Sequence, residues 1–327
     1  MADAPDWSER ILSEHYSDGS GIDLSWLDKP TRHQFRWRTI KGPWVTSRRR
    51  ISSGQSLVRD FNGSMPRDVF VSTSSWLDPV NLPRLKDGKK PPPILLDHKV
   101  VFDIDMRPFC IRRLEEARVA AMRLREWISE ATDLDIQHIS FSGGKGVHLM
   151  ARDPDRSAFS EPDPSKREEM VREQRRKLLD KALDAGHPVD PVVTPDTRRI
   201  IRLPGTLHGS TGFACTILEG GLIEKPVKDW IGEVPRHFSA VSIPKRPPIK
   251  RPSFRFRMRP RVVLEKRRED GEENLSLEVS SHVKGTSDRS AVIAWLPIRW
   301  GEPREAVDRA QDLFDSMDLG PVAYMFD

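Results

Sequence analysis

The stretch Val100-Val101-Phe102-Asp103-Ile104-Asp105 constrains this chain more than any other. Three apolar residues followed by acids at alternate positions read as a buried strand whose end turns polar on one side. Residues i and i+2 of a strand share a face, so Asp103 and Asp105 stand side by side while Ile104 faces the core. Two carboxylates that close repel each other when ionised. A divalent cation relieves the repulsion, and hard oxygen donors suit Mg²⁺ or Mn²⁺. Soon after, Ile111, Leu114, Ala117, Ala121, Leu124 and Ile128 recur near helical spacing, which predicts an amphipathic helix over Ile111–Ile128. A buried strand leading into such a helix calls for a sheet with helices packed on it.

The rest of the chain supplies the other pieces. A short helix is expected around Trp7–His15, then a strongly basic stretch holding Arg32, Arg36, Arg38, Lys41, Arg48, Arg49, Arg50 and Arg59. Asp68–Ser72 has the content of a buried strand, and Lys86–Pro93 reads as a breaker-rich loop. Ile136–Phe141 and Val147–Met150 read as short strands flanking a glycine loop, Arg152–Lys166 as a solvent loop, and Arg167–Ala185 as a charged helix closed by Gly186. Val192–Gly212 predicts a strand, a Pro-Gly turn and a further strand or turn. Beyond it, the strict alternation of Phe254–Arg259 marks a half-buried strand with a basic face formed by Arg255, Arg257 and Arg259. Glu265–Asn274 reads as a mixed-charge loop, Ser290–Trp300 as a strand or buried segment, and Glu305–Met317 as a terminal helix.

Length and composition set bounds. The 327 residues, 37% hydrophobic and 31% charged, suffice for one large domain or two modest ones with a packed core. A net charge of +5 suits a polyanionic partner without requiring one. Cys110 and Cys215 cannot build a four-cysteine zinc site. The N-terminal residues lack the apolar core of a leader, and no apolar run reaches the roughly 18 residues of a membrane span. The chain is therefore expected to be cytoplasmic, with no membrane partner.

Two more segments bear on chemistry. In Ser142-Gly143-Gly144-Lys145-Gly146-Val147-His148, the glycines let backbone N–H groups approach an anion. Ser142 and His148 add donors, and Lys145 adds a phosphate-pairing charge. The Gly-Lys-Ser/Thr ending of a P-loop is absent. In Val189–Gly209, Asp190 is a candidate third carboxylate, and Arg199, Arg202 and His208 are candidate phosphate ligands. Together the segments hold what nucleotidyl transfer needs: acids for two metal ions and basic groups for a triphosphate.

At these residues the chain resembles the small, catalytic subunit of archaeo-eukaryotic DNA primase. The family's apolar strand ending in Asp-x-Asp matches Val100–Asp105. Its Ser-Gly-x-Lys/Arg-Gly-x-His loop matches Ser142–His148. Its long third motif matches Val189–Asp190 and then Val193–Gly212. Pro66–Ser75 and Arg49–Ser52 look like the segments ahead of the first motif. The likeness covers roughly residues 30–215.

The resemblance implies an α+β fold: a mixed sheet with an RRM-like catalytic core joined to an N-terminal α/β unit. Residues 1–235 would form the catalytic domain, and 236–327 a basic strand and helix extension packing on it. Asp103, Asp105 and Asp190 would hold Mg²⁺ or Mn²⁺ in a two-metal site. Ser142, Lys145 and His148 would contact the nucleotide's phosphates, with Arg199, Arg202 and His208 beside the triphosphate. The implied partners are nucleoside triphosphates, a single-stranded DNA template and the primase large subunit. The family's zinc knob has no ligands here, so no structural zinc is expected, and Ser210 stands where one form of the third motif has lysine. Template would follow the Arg32–Arg50 stretch or the Arg255/Arg257/Arg259 face by backbone charge. Two other readings stay open: a primase-polymerase of DNA repair or of a mobile element, and a non-catalytic paralogue that binds nucleic acid.

Overall fold

The computed structural model describes residues 5, 7–19, 21–61, 64–83, 90–247, 261–268, 271–282 and 290–317. The Phe254–Arg259 strand and the Lys86–Lys89 part of the breaker-rich loop lie outside the described residues. The chain divides into two compact units, Met1–Ile249 and Lys250–Asp327.

The first unit opens with α1 (Glu9–His15), β1 (His33–Thr39), β2 (Trp44–Thr46), α2 (Gly54–Asp60), β3 (Pro66–Trp76) and β4 (Leu95–His98). It continues with β5 (Val100–Asp105), α3 (Ile111–Ala131), β6 (Asp135–Phe141), β7 (Gly146–Arg152), α4 (Pro164–Asp184), β8 (Ile200–Arg202), β9 (Thr216–Ile217) and α5 (Val227–Trp230). One sheet has the order β2-β1-β3-β4, with β8 also on β3; the other runs β5-β7-β6-β9. Every pairing among the described residues is antiparallel. The expected mixed sheet is thus corrected, because β7 inserts between β5 and β6 and pairs antiparallel with both. Strand β5, helix α3 and strand β6 therefore form a split β-α-β unit.

The Ile94–Asp105 stretch is two strands in two sheets. The chain changes sheets at Lys99, a buried residue whose ammonium lies 3.4 Å from Asp28. Alternation then sorts β5 between two cores. Val100, Phe102 and Ile104 join Leu114, Ala117, Ala121, Leu124 and Ile128 of α3 in one core. Val101 joins Phe35, Trp37, Val69 and Val71 of the first sheet in the other. A one-residue slip would exchange the two sets and send the carboxylates into the α3 core, so burial on both faces fixes the register.

Caps and turns bound the helices. At the start of α3, the N–H groups of Ile111 and Arg112 donate to the carbonyls of Pro244 and Lys245 at 2.9 and 3.2 Å, satisfying donors that a helix leaves unpaired. Asp163 caps α4 by accepting from the Lys166 N–H at 2.8 Å, and Pro164 occupies the first turn. The solvent loop expected over Arg152–Lys166 is largely irregular and exposed; within it a 3₁₀ turn at Ser157–Ser160 buries Ala158, and α4 begins at Pro164.

The second unit contains β10 (Arg261–Arg268), β11 (Gly271–His282), β12 (Ser290–Trp295) and α6 (Pro303–Ser316), with sheet order β10-β11-β12. The mixed-charge loop expected over Glu265–Asn274 is instead the end of a hairpin. Its register opposes Lys266 to Glu273 and Arg267 to Glu272.

Candidate active site between two sheets

Strand β5 carries its acids to the edge of the second core. Its register sets Asp103 opposite His148 and Asp105 opposite Gly146. Oδ1 of Asp103 is buried without a hydrogen-bond partner, and His148 Nε2 lies 3.6 Å from it, too far for a hydrogen bond. Burial first, then the Asp190 charge, pushes the Asp103 carboxyl up to about 6 against the pull of Arg199. Burial and then Asp103 also raise the Asp105 carboxyl. Asp190 sits next to this pair: its N–H donates to the Asp103 carbonyl at 2.8 Å. Its own carboxylate accepts from the Val192 N–H at 2.8 Å.

The glycine loop closes back on itself. The Ser142 N–H donates to the Gly146 carbonyl at 3.0 Å, and the Gly144 N–H donates to Ser142 Oγ at 3.3 Å. Gly143 has φ +78°, and a Cβ at Gly144 would lie 2.7 Å from His208 Nε2. Glycine is needed here because the loop packs directly on the histidine of the third segment.

That third segment is pinned from below. Strand β8 pairs with β3 so that Arg202 faces Phe70. Arg202 Nη1 donates to Asp68 Oδ1 at 2.8 Å and to the Leu207 carbonyl at 3.1 Å. The Gly209 N–H donates to the same Asp68 oxygen at 2.8 Å, and Arg67 Nε donates to the other oxygen at 2.9 Å. Burial would raise the Asp68 carboxyl; Arg202, Gly209 and Arg67 outweigh it and hold it at about 2. From the far side, Trp7 Nε1 donates to the Gly209 carbonyl at 2.7 Å, and Tyr16 Oη accepts from the Leu207 N–H at 3.0 Å.

His208 is thereby presented at a set place. Its Nδ1 accepts from the Ser210 N–H at 3.2 Å, so in the neutral ring the proton resides on Nε2. Burial, then Arg202, lowers its pKa to about 3. Burial also brings His148 down to about 4. Both imidazoles are therefore neutral at pH 7 rather than cationic. Lys145 and Arg199 make no salt bridge among the described residues. Arg198, from the same basic cluster, turns away and pairs with Glu168 of α4 at 2.7 Å.

A cleft of about 240 Å³ results, lined by Asp103, Asp105, Ser142, Lys145 and His148 from one side and Arg199, Arg202 and His208 from the other. Eight of the nine candidate residues thus converge; Asp190 stands beside Asp103 without lining the cleft. No group of three His, Cys, Asp or Glu among the described residues is arranged to hold a metal ion. The Asp103 and Asp105 carboxylates nonetheless fit a hard divalent cation: one oxygen is orphaned in burial, and both acids are raised by burial first and then by a neighbouring carboxylate, Asp190 for Asp103 and Asp103 for Asp105. Asp68 and Phe70 were missed from the sequence. The signal for Asp68 was an acid leading directly into the apolar run Val69-Phe70-Val71 of a buried strand, where a carboxylate requires a partner.

The chain is similar to a DNA primase small subunit. That protein, PriS of Pyrobaculum calidifontis, is 26% identical over 243 residues, which span 62% of this chain and 75% of the relative. No protein-family model matches. Among solved structures, the polymerase domain of Mycobacterium tuberculosis Ligase D in complex with DNA aligns with a TM-score of 0.46 at 13% identity, covering 66% of this chain and 83% of that one. No helix among the described residues is long and apolar enough to cross a membrane.

Proposed function

We propose that this chain is a primase-type nucleotidyltransferase that makes short RNA or DNA primers on a single-stranded DNA template. The observation that carries this reading is the convergence of three segments far apart in sequence. Asp103 and Asp105, the Ser142–His148 loop, and Arg199, Arg202 and His208 all face one cleft. The similarity to the Pyrobaculum calidifontis primase subunit points the same way. On this reading the split β-α-β sheet is an RRM-like catalytic core, and the β1–β3 sheet belongs to the adjoining N-terminal unit.

In the reaction, a primer 3′-hydroxyl attacks the α-phosphate of a nucleoside triphosphate; a new P–O bond forms and the bond to the leaving pyrophosphate breaks. Lys145 and Arg199 are positioned to neutralise the triphosphate, since neither makes a salt bridge among the described residues. His208 Nε2–H and Ser142 Oγ–H donate to phosphate oxygens without adding charge. Arg202, held by Asp68, lines the wall against which the phosphates lie. Asp103 and Asp105, with Asp190 at Asp103's side, would hold Mg²⁺ or Mn²⁺, which when bound activates the attacking hydroxyl and offsets charge on the leaving group. Primer synthesis also implies a primase large subunit as partner.

The test is primer synthesis on single-stranded DNA with labelled ribo- and deoxyribonucleotides and Mg²⁺ or Mn²⁺, with and without a large subunit. Extended products on a denaturing gel are expected. Absence of any polymer, even with the large subunit added, would rule the reading out.

A further inference from the structure

Strand alternation places a second set of side chains on the face of the β1–β3 sheet that leads into the cleft. Arg36 of β1 is opposite both Thr46 of β2 and Phe70 of β3, and Phe70 is in turn opposite Arg202 of β8. In the neighbouring row, Arg38 is opposite Trp44 and Asp68. Directly opposed residues share a face, so the face runs without interruption from Trp44 at the sheet edge to Arg202 in the cleft.

Its surface is aromatic and cationic in alternation. The Trp44 and Phe70 rings lie 5.3 Å apart, tilted by 45°. The Arg36 guanidinium lies 5.1 Å from the Trp44 ring, and that of Arg202 4.9 Å from the Phe70 ring. Trp44 is 48% exposed, a large apolar area for a tryptophan to leave in water. Phe70 lines the cleft itself. Arg38, Lys41 and Arg48 are exposed on and beside the β1–β2 hairpin.

We propose that Trp44 and Phe70 form a stacking platform for unpaired nucleobases of a single strand entering the cleft. Every base has a π-face, so exposed aromatic rings grip a strand without reading its sequence, while flanking cations follow its phosphates. The charge complements a polyanion, and continuity with the cleft sets the direction of entry. The platform rests on the primase-type reading for its purpose, but its binding chemistry is independent of catalysis.

Fluorescence anisotropy of the full chain tests it, with labelled oligothymidylate and an abasic oligonucleotide of equal length. Trp44→Ala and Phe70→Leu should each weaken oligothymidylate binding by roughly tenfold and leave abasic binding unchanged. Trp44→Phe should restore most of the loss, and thermal melting checks that each variant is folded. Arg38→Ala with Arg48→Ala should weaken both ligands alike and flatten the salt dependence. The platform is overturned if wild type does not bind oligothymidylate, if the aromatic variants bind it as wild type does, or if they lose both ligands equally. Base-dependent binding without primer synthesis would leave the platform standing and remove the polymerase reading. Synthesis with unaltered binding by Trp44→Ala would do the reverse.

Discussion

The two walls of the cleft treat their charges in opposite ways. On the β5–β7 wall, Asp103 Oδ1 and His148 Nδ1 are buried without partners, and both acids are pushed toward protonation. On the β3–β8 wall, Asp68 takes hydrogen bonds from Arg202, Gly209 and Arg67 and is held firmly ionised. Buried polar groups are normally satisfied, and exceptions ask for a reason. On the satisfied wall Asp68 and its partners are framework that positions a loop, while Arg199 beside them makes no salt bridge among the described residues. The unsatisfied wall stores unfavourable electrostatics that a bound cation and phosphates would relieve.

The largest effect that could break this contrast is expected from Asp103→Asn. On the order of 10³-fold of nucleotidyl transfer should be lost. In a chelator, however, the variant should melt no lower than wild type. The folded pKa of about 6 lies above the usual value of 3.8, so the unfolded chain ionises first and wild-type stability falls as pH rises from about 4 to 6. The penalty is roughly 3 kcal/mol at most, and Asp103→Asn should remove that slope. Mn²⁺ should raise the melting temperature of wild type but not of the variant. A variant that melts much lower in chelator would show that Asp103 is framework after all.

Next in size is Gly144→Ala. The added Cβ would meet the His208 ring at 2.7–2.9 Å, and both neighbours are packed, so the ring must move. Overpacking of this kind costs about 1–3 kcal/mol, and a displacement near 1 Å at a reacting site costs on the order of 10² in rate. Melting and single-turnover extension should both report it. Gly232→Ala is the control, since nothing lies within 4 Å of its added Cβ and, like Gly144, it does not have a positive φ.

The unsatisfied wall was the more legible of the two in sequence. Acids at alternate positions after an apolar run, and a glycine loop with Lys145 between short strands, are local patterns, and strand periodicity translates them directly into geometry. The framework wall was not legible in the same way. Asp68 and Arg202 are 134 residues apart in sequence, and Trp7 reaches Gly209 across 202; such pairings follow from sheet topology, which no local spacing encodes. Arg198 and Arg202 illustrate the limit. Both stood in one basic cluster, yet one is held against α4 by Glu168 and the other reaches the cleft. Trp44 was unread for a related reason: only the β1–β2 and β1–β3 registers bring it onto Phe70.

The smallest effect expected sharpens the comparison from the framework side. Asp68→Asn keeps the shape of the side chain and removes its charge. Asp68 is held at about 2 in the folded chain against 3.8 ordinarily. A depressed carboxyl contributes stability above its unfolded pKa and loses it as pH falls toward the folded value. Wild type should therefore exceed the variant by roughly 2 kcal/mol at pH 7, with the gap closing between pH 4 and pH 2 in denaturant melts. Because Arg202 would remain in place with a weaker tether, KM for the nucleotide should rise several-fold while kcat changes little, the pattern of lost uniform binding. If kcat fell as steeply as in Asp103→Asn with KM unchanged, Asp68 would belong with the reacting groups, and the division of the cleft into a framework wall and a ligand-satisfied wall would fail.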